Sequence, residues 1–419
     1  MQPDAINTND TSGLGAGRPM LRSAVILTGI ATAFSLLGDQ ALYAILPIHY
    51  QTLGLTSLQL GLILSMNRFV RLLTNHLAGW LIRRIHFSGL FVGVLVLGAG
   101  LTFLYGTWPI FAILIGARLL WGFCWSTIRQ IGTMTSIAAM PGRDVGRTVG
   151  LYSGLSRAGS ITGLALGGLL FDQFRRLWGF EAGWQWCFFV LAGISLLGVI
   201  PAATIGRTLR RMSFKLHAEP DGPVPRTSRG LLICGFIVGC VGYGIIFSKL
   251  GDVLKMLTGD SVEFGSRALA LTTFTALILC SRHIIGLVGG PMLGRLSDRI
   301  GHRTSAFVFL MAATILLAVA ALVSQSFWAV VVLMIMFFVF TACLIVTLMA
   351  EAGRAGPSTF AWLVTALDLG GATGPLLAWT VGDWVKETWM PFAIAAALCF
   401  VGTAIALARL IRARRAPSL

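Results

Sequence analysis

Charged residues are scarce in this sequence, and acidic residues are the scarcest of them. Only 11% of the 419 residues are charged, and 16 acidic residues stand against 32 lysines and arginines. A soluble domain carries about 25% charged residues, whereas here 56% are hydrophobic and the mean hydropathy is +0.82. This composition excludes a soluble domain and indicates a protein whose surface lies mostly in a lipid bilayer.

Cysteine is also sparse, and no arrangement of residues typical of catalysis is found. All seven cysteines fall in apolar segments and lack the spacing of a disulfide framework or a metal site. The sequence has no nucleophile elbow, no phosphate-binding loop and no acid pair at catalytic spacing. We therefore expect no enzymatic activity, no cofactor and no metal site.

Long apolar runs are what the sequence has in abundance. A membrane-spanning helix needs about 20 apolar residues, and twelve such segments can be laid out. We therefore predict an all-α membrane protein with twelve transmembrane helices. The polar first residues run directly into a full-length span, so no cleavable signal is expected. The predicted spans are 23–48, 57–81, 88–106, 109–138, 146–171, 184–205, 230–250, 267–293, 304–323, 328–349, 359–381 and 391–410.

The basic residues are distributed unevenly between the two sides of these spans. With the amino terminus inside, twenty of the 32 lie in cytoplasmic segments and six lie at the outer side. This asymmetry predicts a multi-pass protein of the cytoplasmic (inner) membrane with both termini in the cytoplasm. The net charge of +16 is then a signal of topology and not of a nucleic-acid site. The six outer residues are Arg175, Arg176, Lys249, Lys255, Arg267 and Lys386.

The chain is organised as two similar halves. The fifth and eleventh spans carry small residues that superimpose at an offset of 211 positions, such as Gly159 with Gly370 and Gly163 with Gly374. A basic, proline-rich stretch between the halves is typical of a linker. We expect two six-helix halves related by pseudo-two-fold symmetry and a site between them. The predicted divisions are a tail at 1–22, a half at 23–205, a linker at 206–229, a half at 230–410 and a basic tail at 411–419.

A short charged segment between the eighth and ninth spans is the most specific motif. It reads G-x-L-x-D-R-x-G-x-R and resembles the loop signature of the major facilitator superfamily, which lies between the second and third helices of each half. In the first half, Arg83 occupies the acidic position, so the family role of that aspartate is expected only for Asp298. The alternative is an ordinary basic loop. The signature residues are Gly294, Asp298, Arg299, Gly301 and Arg303.

The fifth span also resembles the glycine signature of the drug:proton antiporters of this superfamily. Gly150, Gly159, Gly163 and the pair Gly167-Gly168 match it, but Leu164 stands where that signature has proline. The alternative is that these glycines only allow close helix packing.

Ionisable residues inside the spans are the candidates for function, because each costs about 2.5–3.5 kcal/mol to insert at the centre of a bilayer. Six are arginines and two are aspartates, which predicts a surplus of positive charge in the interior. His283 lies beside them. The eight charged residues are Asp39, Arg68, Arg71, Arg118, Arg129, Arg157, Arg282 and Asp368.

The second and eighth spans present arginines at equivalent positions. Asn67 and Arg68 correspond to Arg282 and His283 at an offset of 215, and Arg71 follows one helical turn after Asn67. Paired arginines on these helices resemble the anion clamp of nitrate transporters in the superfamily, although the glycine signatures of that family are not matched. We predict that Arg68, Arg71, Arg118, Arg129, Arg282, His283 and Tyr43 bind the substrate, because guanidinium groups suit carboxylates and phosphates. The alternative is that the arginines form structural ion pairs or reach to water.

Asp39 and Arg118 are predicted to couple transport to protons. Arg118 and Gly122 resemble the R-x-x-x-G signature of the fourth helix in proton-linked exporters, and the superfamily fold brings the first and fourth helices together. A carboxylate beside an arginine experiences opposing effects of charge and desolvation, and these change as a cavity opens. The alternative is a static ion pair.

Asp368 and Arg157 occupy equivalent positions on the eleventh and fifth spans. The fold packs the eleventh span against the second, so Arg68 or Arg71 is the expected partner of Asp368. We predict that Asp368, Arg157 and Asp298 form gates between the halves.

Together these features predict a monomeric secondary transporter that uses protons and exports a small anionic or amphipathic compound, for example a siderophore-like metabolite. One alternative is a proton-coupled importer of an organic anion. Another is a sensor or assembly protein built on the same fold.

Overall fold

Nearly all residues that the structure describes are helical. The computed structural model describes residues 14–139, 145–206, 208, 228–264 and 267–415. Helices are expected because a backbone in the bilayer must satisfy its hydrogen bonds within its own segment. Most of the predicted linker at 206–229, and the tail residues 1–13 and 416–419, lie outside the described residues.

In the amino-terminal half, the helices agree with the predicted spans in number but not at every boundary. The first span begins within the predicted tail, and the second begins with a capping box formed by Thr56 and Gln59. The first span consists of Leu14–Ser35 and Leu37–His49, the second of Ser57–Phe69 and Arg71–Arg84, the third of Phe87–Thr107 and the fourth of Phe111–Ala139.

The fifth and sixth spans are joined without the predicted loop. A single run of helix, Val145–Leu196, contains both, and Gly179 with φ of +86° marks the point where they meet. Only glycine adopts this left-handed backbone without strain. Arg175 and Arg176 therefore lie in helix and not in a loop, and Val199–Thr204 completes the sixth span.

In the carboxy-terminal half, the seventh span contains a π-helical segment and is followed by a β-hairpin. The prediction that the eighth span begins at residue 267 is wrong, because residues 267–270 form the second strand of this hairpin. The seventh span consists of Arg229–Val238, the π-helix Gly239–Ile245 and Ile246–Thr258, and the strands of the hairpin are Ser261–Phe264 and Arg267–Ala270. The eighth span consists of Leu271–Val288 and Gly290–Ile300. The ninth to twelfth spans are, in order, His302–Leu322, Phe327–Ala355, Pro357–Gly382 and Met390–Arg415.

Ten helices in the described part of the chain are long and apolar enough to cross a membrane. One of them, Arg147–Thr204, has 58 residues and holds both the fifth and the sixth spans. The second span is not among the ten, because Arg68, Arg71 and their polar neighbours interrupt its apolar sequence. With these two assignments, the helices account for the twelve predicted spans of an all-α membrane protein.

The repeated small residues of the fifth and eleventh spans form equivalent contacts. Gly159 and Gly163 face the backbone of the first span at Ala33 and Leu37, where a Cβ atom would clash. Gly370 and Gly374 face the backbone of the seventh span in the same way. Close helix packing therefore accounts for the spacing that these residues share in the two halves.

The helix bundle has two ends. The hairpin end is the end at which the β-hairpin and residues 50–56 lie, and the terminal end is the opposite one, where residues 85–86 and 301 connect the spans. Across the interface between the halves, the second span packs against the eleventh and the fifth against the eighth.

Candidate functional site

A cavity of about 320 Å³ lies in the middle of the bundle between the two halves. Its size is that of a site for a small molecule. Seven of the eight predicted intramembrane charges line it, together with Tyr43, Tyr243 and His283. The charged lining residues are Asp39, Arg68, Arg71, Arg129, Arg157, Arg282 and Asp368.

Arg118 lies behind the cavity wall, so the prediction that it contacts substrate does not agree with this geometry. Its side chain is fully buried and forms an ion pair with Asp39. The guanidinium also donates to the hydroxyl of Tyr43 at 2.9 Å and to the carbonyl of Ile63 at 3.2 Å. The predicted pairing of Asp39 with Arg118 is thus observed, and the bonding capacity of this arginine is used within the first half.

Asp39 itself faces the cavity while holding Arg118. One carboxylate oxygen accepts from Arg118, and the other accepts from the amide of Gln40 at 2.9 Å. Its side chain is 7% exposed. The carboxylate therefore has access to the cavity on one side and a buried counter-charge on the other.

Asp368 joins the two halves through two arginines. Its carboxylate lies 3.1 Å from Arg71 on the second span and 3.4 Å from Arg129 on the fourth. Arg71 was one of the two partners predicted, whereas Arg129 was not. Arg129 also donates to the side chain of Asn75 at 3.5 Å.

A second contact between the halves occupies the pseudo-symmetric position. Arg157 on the fifth span donates to the carbonyl oxygen of Gly286 on the eighth. Arg157 corresponds to Asp368 at the offset of 211, and Gly286 corresponds to Arg71 at the offset of 215. The contact between the second and eleventh spans is therefore an ion pair, and the symmetry-equivalent contact between the fifth and eighth spans is an arginine–carbonyl hydrogen bond.

Arg68 and Arg282 lie over Tyr243, and His283 lies beside Phe247. The guanidinium of Arg282 is 3.7 Å from the centre of the Tyr243 ring, and that of Arg68 is 5.3 Å from it. Arg282 donates through one nitrogen to the carbonyl of Gly242 at 2.9 Å, but its Nη2 is buried and has no hydrogen-bond partner. Nε2 of His283 and Nε of Arg71 are buried without partners as well.

Part of the cavity wall is apolar and aromatic. Trp121 and Trp125 come from the fourth span, and Ala342, Ile345 and Val346 come from the tenth. The cavity is thus cationic on one side and apolar on another.

The loop signature forms a charge network within the second half. Asp298 accepts from Arg354 of the tenth span at 3.0 Å, and Gly301 ends the preceding helix with φ of +89°. Arg303 and Arg409 lie 3.5 and 2.7 Å from Glu351. The prediction that Asp298 joins the two halves is wrong, because its partner belongs to the same half. Gly294 faces Val346, and Arg299 is exposed.

Sequence reasoning missed the contacts that close the hairpin end. His49 lies 2.9 Å from the hydroxyl of Thr272, and Lys255 donates to the carbonyl of Ile48 at 2.7 Å. Asp172 accepts from the backbone and side chain of Thr273. Each of these contacts joins the amino-terminal half to the carboxy-terminal half.

Two further ion pairs lie near this end. Arg175 and Asp260 are 2.6 Å apart, and the hydrogen bond from Arg175 lowers the pKa of the Asp260 carboxyl. Lys249, which was assigned to the outer side, is instead buried in the seventh span, where it pairs with Asp252 at 2.6 Å and lies over the ring of Trp379. The spacing of three residues between Lys249 and Asp252 was a signal of this pair.

No cluster of three or more metal-ligating side chains is found within the described residues. The polar groups that line the cavity include five guanidinium groups, two tyrosines and two carboxylates.

Comparison with known proteins identifies the fold. Among solved structures, a bacterial homologue of the human lysosomal transporter Spinster, in an inward-facing and occupied conformation, is 14% identical, with a TM-score of 0.73 over 91% of this chain and 95% of that one. The nucleoside transporter NupG is 13% identical, with a TM-score of 0.71 over 92% and 98%. A POT family transporter in complex with a thioalcohol-conjugated peptide is 13% identical, with a TM-score of 0.67 over 95% and 96%.

Among curated proteins, no sequence matches this chain. The family model of the Major Facilitator Superfamily, however, matches residues 28–375, which is most of the chain. The twelve spans, the cavity between two halves and the charge network at the loop signature agree with this match. The chain is a membrane transporter that belongs to the Major Facilitator Superfamily.

Proposed function

We propose that this protein is a proton-coupled antiporter that exports a small anionic or amphipathic compound. It acts as a monomer in the inner membrane, with both termini in the cytoplasm. The observation that carries the anionic substrate is the charge of the central cavity: five arginines line it and only two aspartates balance them. A cavity with this surplus attracts anions and repels cations.

Unused hydrogen-bond donors support the same substrate class. Nη2 of Arg282 and Nε of Arg71 are buried without partners. A buried donor without a partner costs about 1–3 kcal/mol, and an anionic oxygen would satisfy it. The apolar surface from Ala342, Ile345 and Val346 suits the organic part of such a compound.

Asp39 is the proposed proton carrier. Two aspartates line the cavity, and Asp39 is the one whose arginine partner, Arg118, lies behind the cavity wall. Protonation of Asp39 would therefore break its ion pair with Arg118 and leave the arginines that line the cavity in place. A carboxylate that alternates between a buried cation and an open cavity changes its proton affinity with conformation. The rival interpretation is a permanent structural ion pair.

Export is favoured by the match of Arg118 and Gly122 to the fourth-helix signature and by the glycines of the fifth span. The residues that recognise an anion serve an importer equally well. Direction is therefore the part of the proposal that transport measurements must decide.

The test is transport by the purified protein in proteoliposomes under an imposed pH gradient. A panel of aromatic and aliphatic carboxylates and phosphates is compared with lipophilic cations of similar size. We expect proton-driven movement of anions, with substrate and protons moving in opposite directions. Movement of cations without anions would contradict the substrate class, and movement of anion and proton together would identify an importer.

A further inference from the structure

The arginines of the cavity fall into two groups that differ in their counter-charges. Arg71 and Arg129 share Asp368. Within the described residues, Arg68, Arg157 and Arg282 form no ion pair with a carboxylate. We call these three residues, with His283 and Tyr243, the acid-free cluster.

The acid-free cluster is compact and faces the cavity from both halves. Arg68 and Arg282 lie over the same Tyr243 ring, at 5.3 and 3.7 Å from its centre. The charged neighbours of His283 are Arg282, Arg157 and Arg68. All five side chains line the same cavity. Three guanidinium groups from the second, fifth and eighth spans thus surround one small volume.

The cluster also leaves donors unused. Arg282 is only 7% exposed, yet its Nη2 has no partner. Neither of the other two arginines has an ion pair of its own: Arg157 bonds a carbonyl, and Arg68 lies over a ring. The carboxylate that acts on Arg68 electrostatically is Asp368, which is already paired with Arg71 and Arg129. Three cations around one small cavity, of which Arg282 is buried and Arg68 and Arg157 are partly exposed, repel one another, and a ligand that supplies negative charge would relieve this repulsion.

We infer that the acid-free cluster is the seat for a compact doubly charged anionic group, and that the substrate is an organic phosphate monoester or phosphonate. This inference rests on the proposed anionic substrate and makes it specific. A monocarboxylate would leave two of the three guanidinium groups unbalanced, whereas a phosphate group offers two negative charges and three acceptor oxygens. The organic part would lie against Trp121, Trp125 and the tenth span.

The experiment compares two probes that share a phenyl ring and a tetrahedral head group. Phenyl phosphate is a dianion at pH 7.5, because its second pKa is about 6, and phenyl sulfate is a monoanion. Their Kd values are measured by calorimetry on the purified wild-type protein. We expect phenyl phosphate to bind about tenfold more tightly or better, because an extra charge near three guanidinium groups is strongly attracted.

Variants then test whether the preference for phenyl phosphate over phenyl sulfate depends on the acid-free cluster. Arg282→Gln and Arg68→Gln should each reduce the ratio of the two Kd values severalfold, mainly by weakening phenyl phosphate. Arg84→Gln is the matched control: it removes the same charge from an exposed arginine that lies over Trp80 outside the cavity, and it should leave the ratio unchanged.

Each outcome distinguishes the two proposals. Equal binding of the two probes would overturn the dianion seat and leave the anionic substrate standing. Failure of phenyl phosphate to bind would also overturn the seat. Binding of tetraphenylphosphonium without either anion would overturn the seat and the proposed substrate class together. Because the comparison of probes needs only the wild-type protein, it does not depend on how well the variants fold.

Discussion

Arg118 and Arg282 are both buried arginines of the central region, one in each half, but their surroundings differ. Arg118 bonds a carboxylate, a hydroxyl and a carbonyl, all within its own half. Arg282 bonds one carbonyl, lies over a ring and keeps one nitrogen without a partner. Two arginines that look alike in the sequence therefore differ in their contacts: Arg118 is ion-paired with Asp39, and Arg282 keeps a buried nitrogen without a partner.

The comparison extends to the residues beside them. Asp39 in the first span faces the cavity from one half, and Tyr243 in the seventh span faces it from the other. The carboxylate neutralises its arginine, whereas the tyrosine only covers its arginine with a ring. The cavity region of the amino-terminal half thus contains an arginine with a carboxylate partner, and that of the carboxy-terminal half contains an arginine without one.

The largest effect is expected on stability. Arg118→Gln leaves the buried carboxylate of Asp39 without its counter-charge and should lower the free energy of unfolding by about 3–5 kcal/mol. Arg282→Gln removes a cation that has no acid partner, so its cost should be below about 1 kcal/mol. Denaturation in detergent, followed by tryptophan fluorescence, measures both. Equal losses would abolish the distinction between the two arginines.

Proton coupling should depend on Asp39. Asp39→Asn keeps the shape of the side chain but cannot exchange a proton, so gradient-driven transport should fall by about a hundredfold while substrate counterflow persists. Asp383→Asn, at an exposed aspartate of the hairpin end, is the matched control. Normal accumulation by Asp39→Asn would make the Asp39–Arg118 pair purely structural.

The gate pair should show direct coupling. In a double-mutant cycle, Asp368→Ala and Arg71→Ala should have an interaction energy of about 1–3 kcal/mol, because their charged groups touch across the interface. The same cycle with Arg157, which bonds the Gly286 carbonyl, should be additive to within about 0.5 kcal/mol. The free energy of unfolding is measured for all four states of each cycle. An additive Asp368–Arg71 cycle would refute the gate.

Ligand affinity should respond to the geometry of Arg282. Arg282→Lys keeps the charge but loses the planar group that lies on Tyr243 and can donate two parallel bonds, so the Kd for an anion should rise about tenfold, or about 1.4 kcal/mol. For Arg118→Lys, behind the cavity wall, the change in binding free energy should be smaller than the change in the free energy of unfolding. If the two variants changed the Kd equally, the assignment of roles would be wrong.

The smallest effect is expected at the exposed pair of Arg175 and Asp260. An exposed ion pair contributes about 0.2–1 kcal/mol, and Arg175→Gln should cost no more. Because the pKa of Asp260 is lowered in the folded protein, this contribution is present above the ordinary pKa of an aspartate and is lost as the pH falls through the lowered value. The difference in unfolding free energy between wild type and variant should therefore stay constant from pH 5 to 8. A change within that window would show that another group is involved.

Much of the fold could be predicted from the sequence because a bilayer restricts the segments that cross it to apolar helices. A run of apolar residues predicts a span, and an ionisable residue within it needs a partner. The sequence therefore pairs Asp39 with Arg118 and Asp368 with Arg68 or Arg71, of which Arg71 is the observed partner. The two-fold repeat supplied the offsets at which equivalent residues lie.

The errors came from features that periodicity does not encode. Arg118 was predicted to contact the substrate, but its ion pair with Asp39 holds the guanidinium behind the cavity wall. The join at Gly179 and the β-hairpin depend on tertiary packing at the hairpin end. Asp298 was assigned across the interface because sequence alone gives no distance to Arg354 within the same half.

The π-helical segment Gly239–Ile245 determines where Tyr243 and the Gly242 carbonyl point. A π turn holds one residue more than an α turn, so the helix beyond it is rotated by about 100° relative to an uninterrupted helix. The length of this segment, as much as its side chains, therefore decides which face of the seventh span reaches the cavity. A deletion of one residue here would restore regular α-helix and turn Ile246–Thr258, with the buried Lys249 and Asp252, onto a new face. Chain length at one wide turn thus determines which side chains of the seventh span line the cavity.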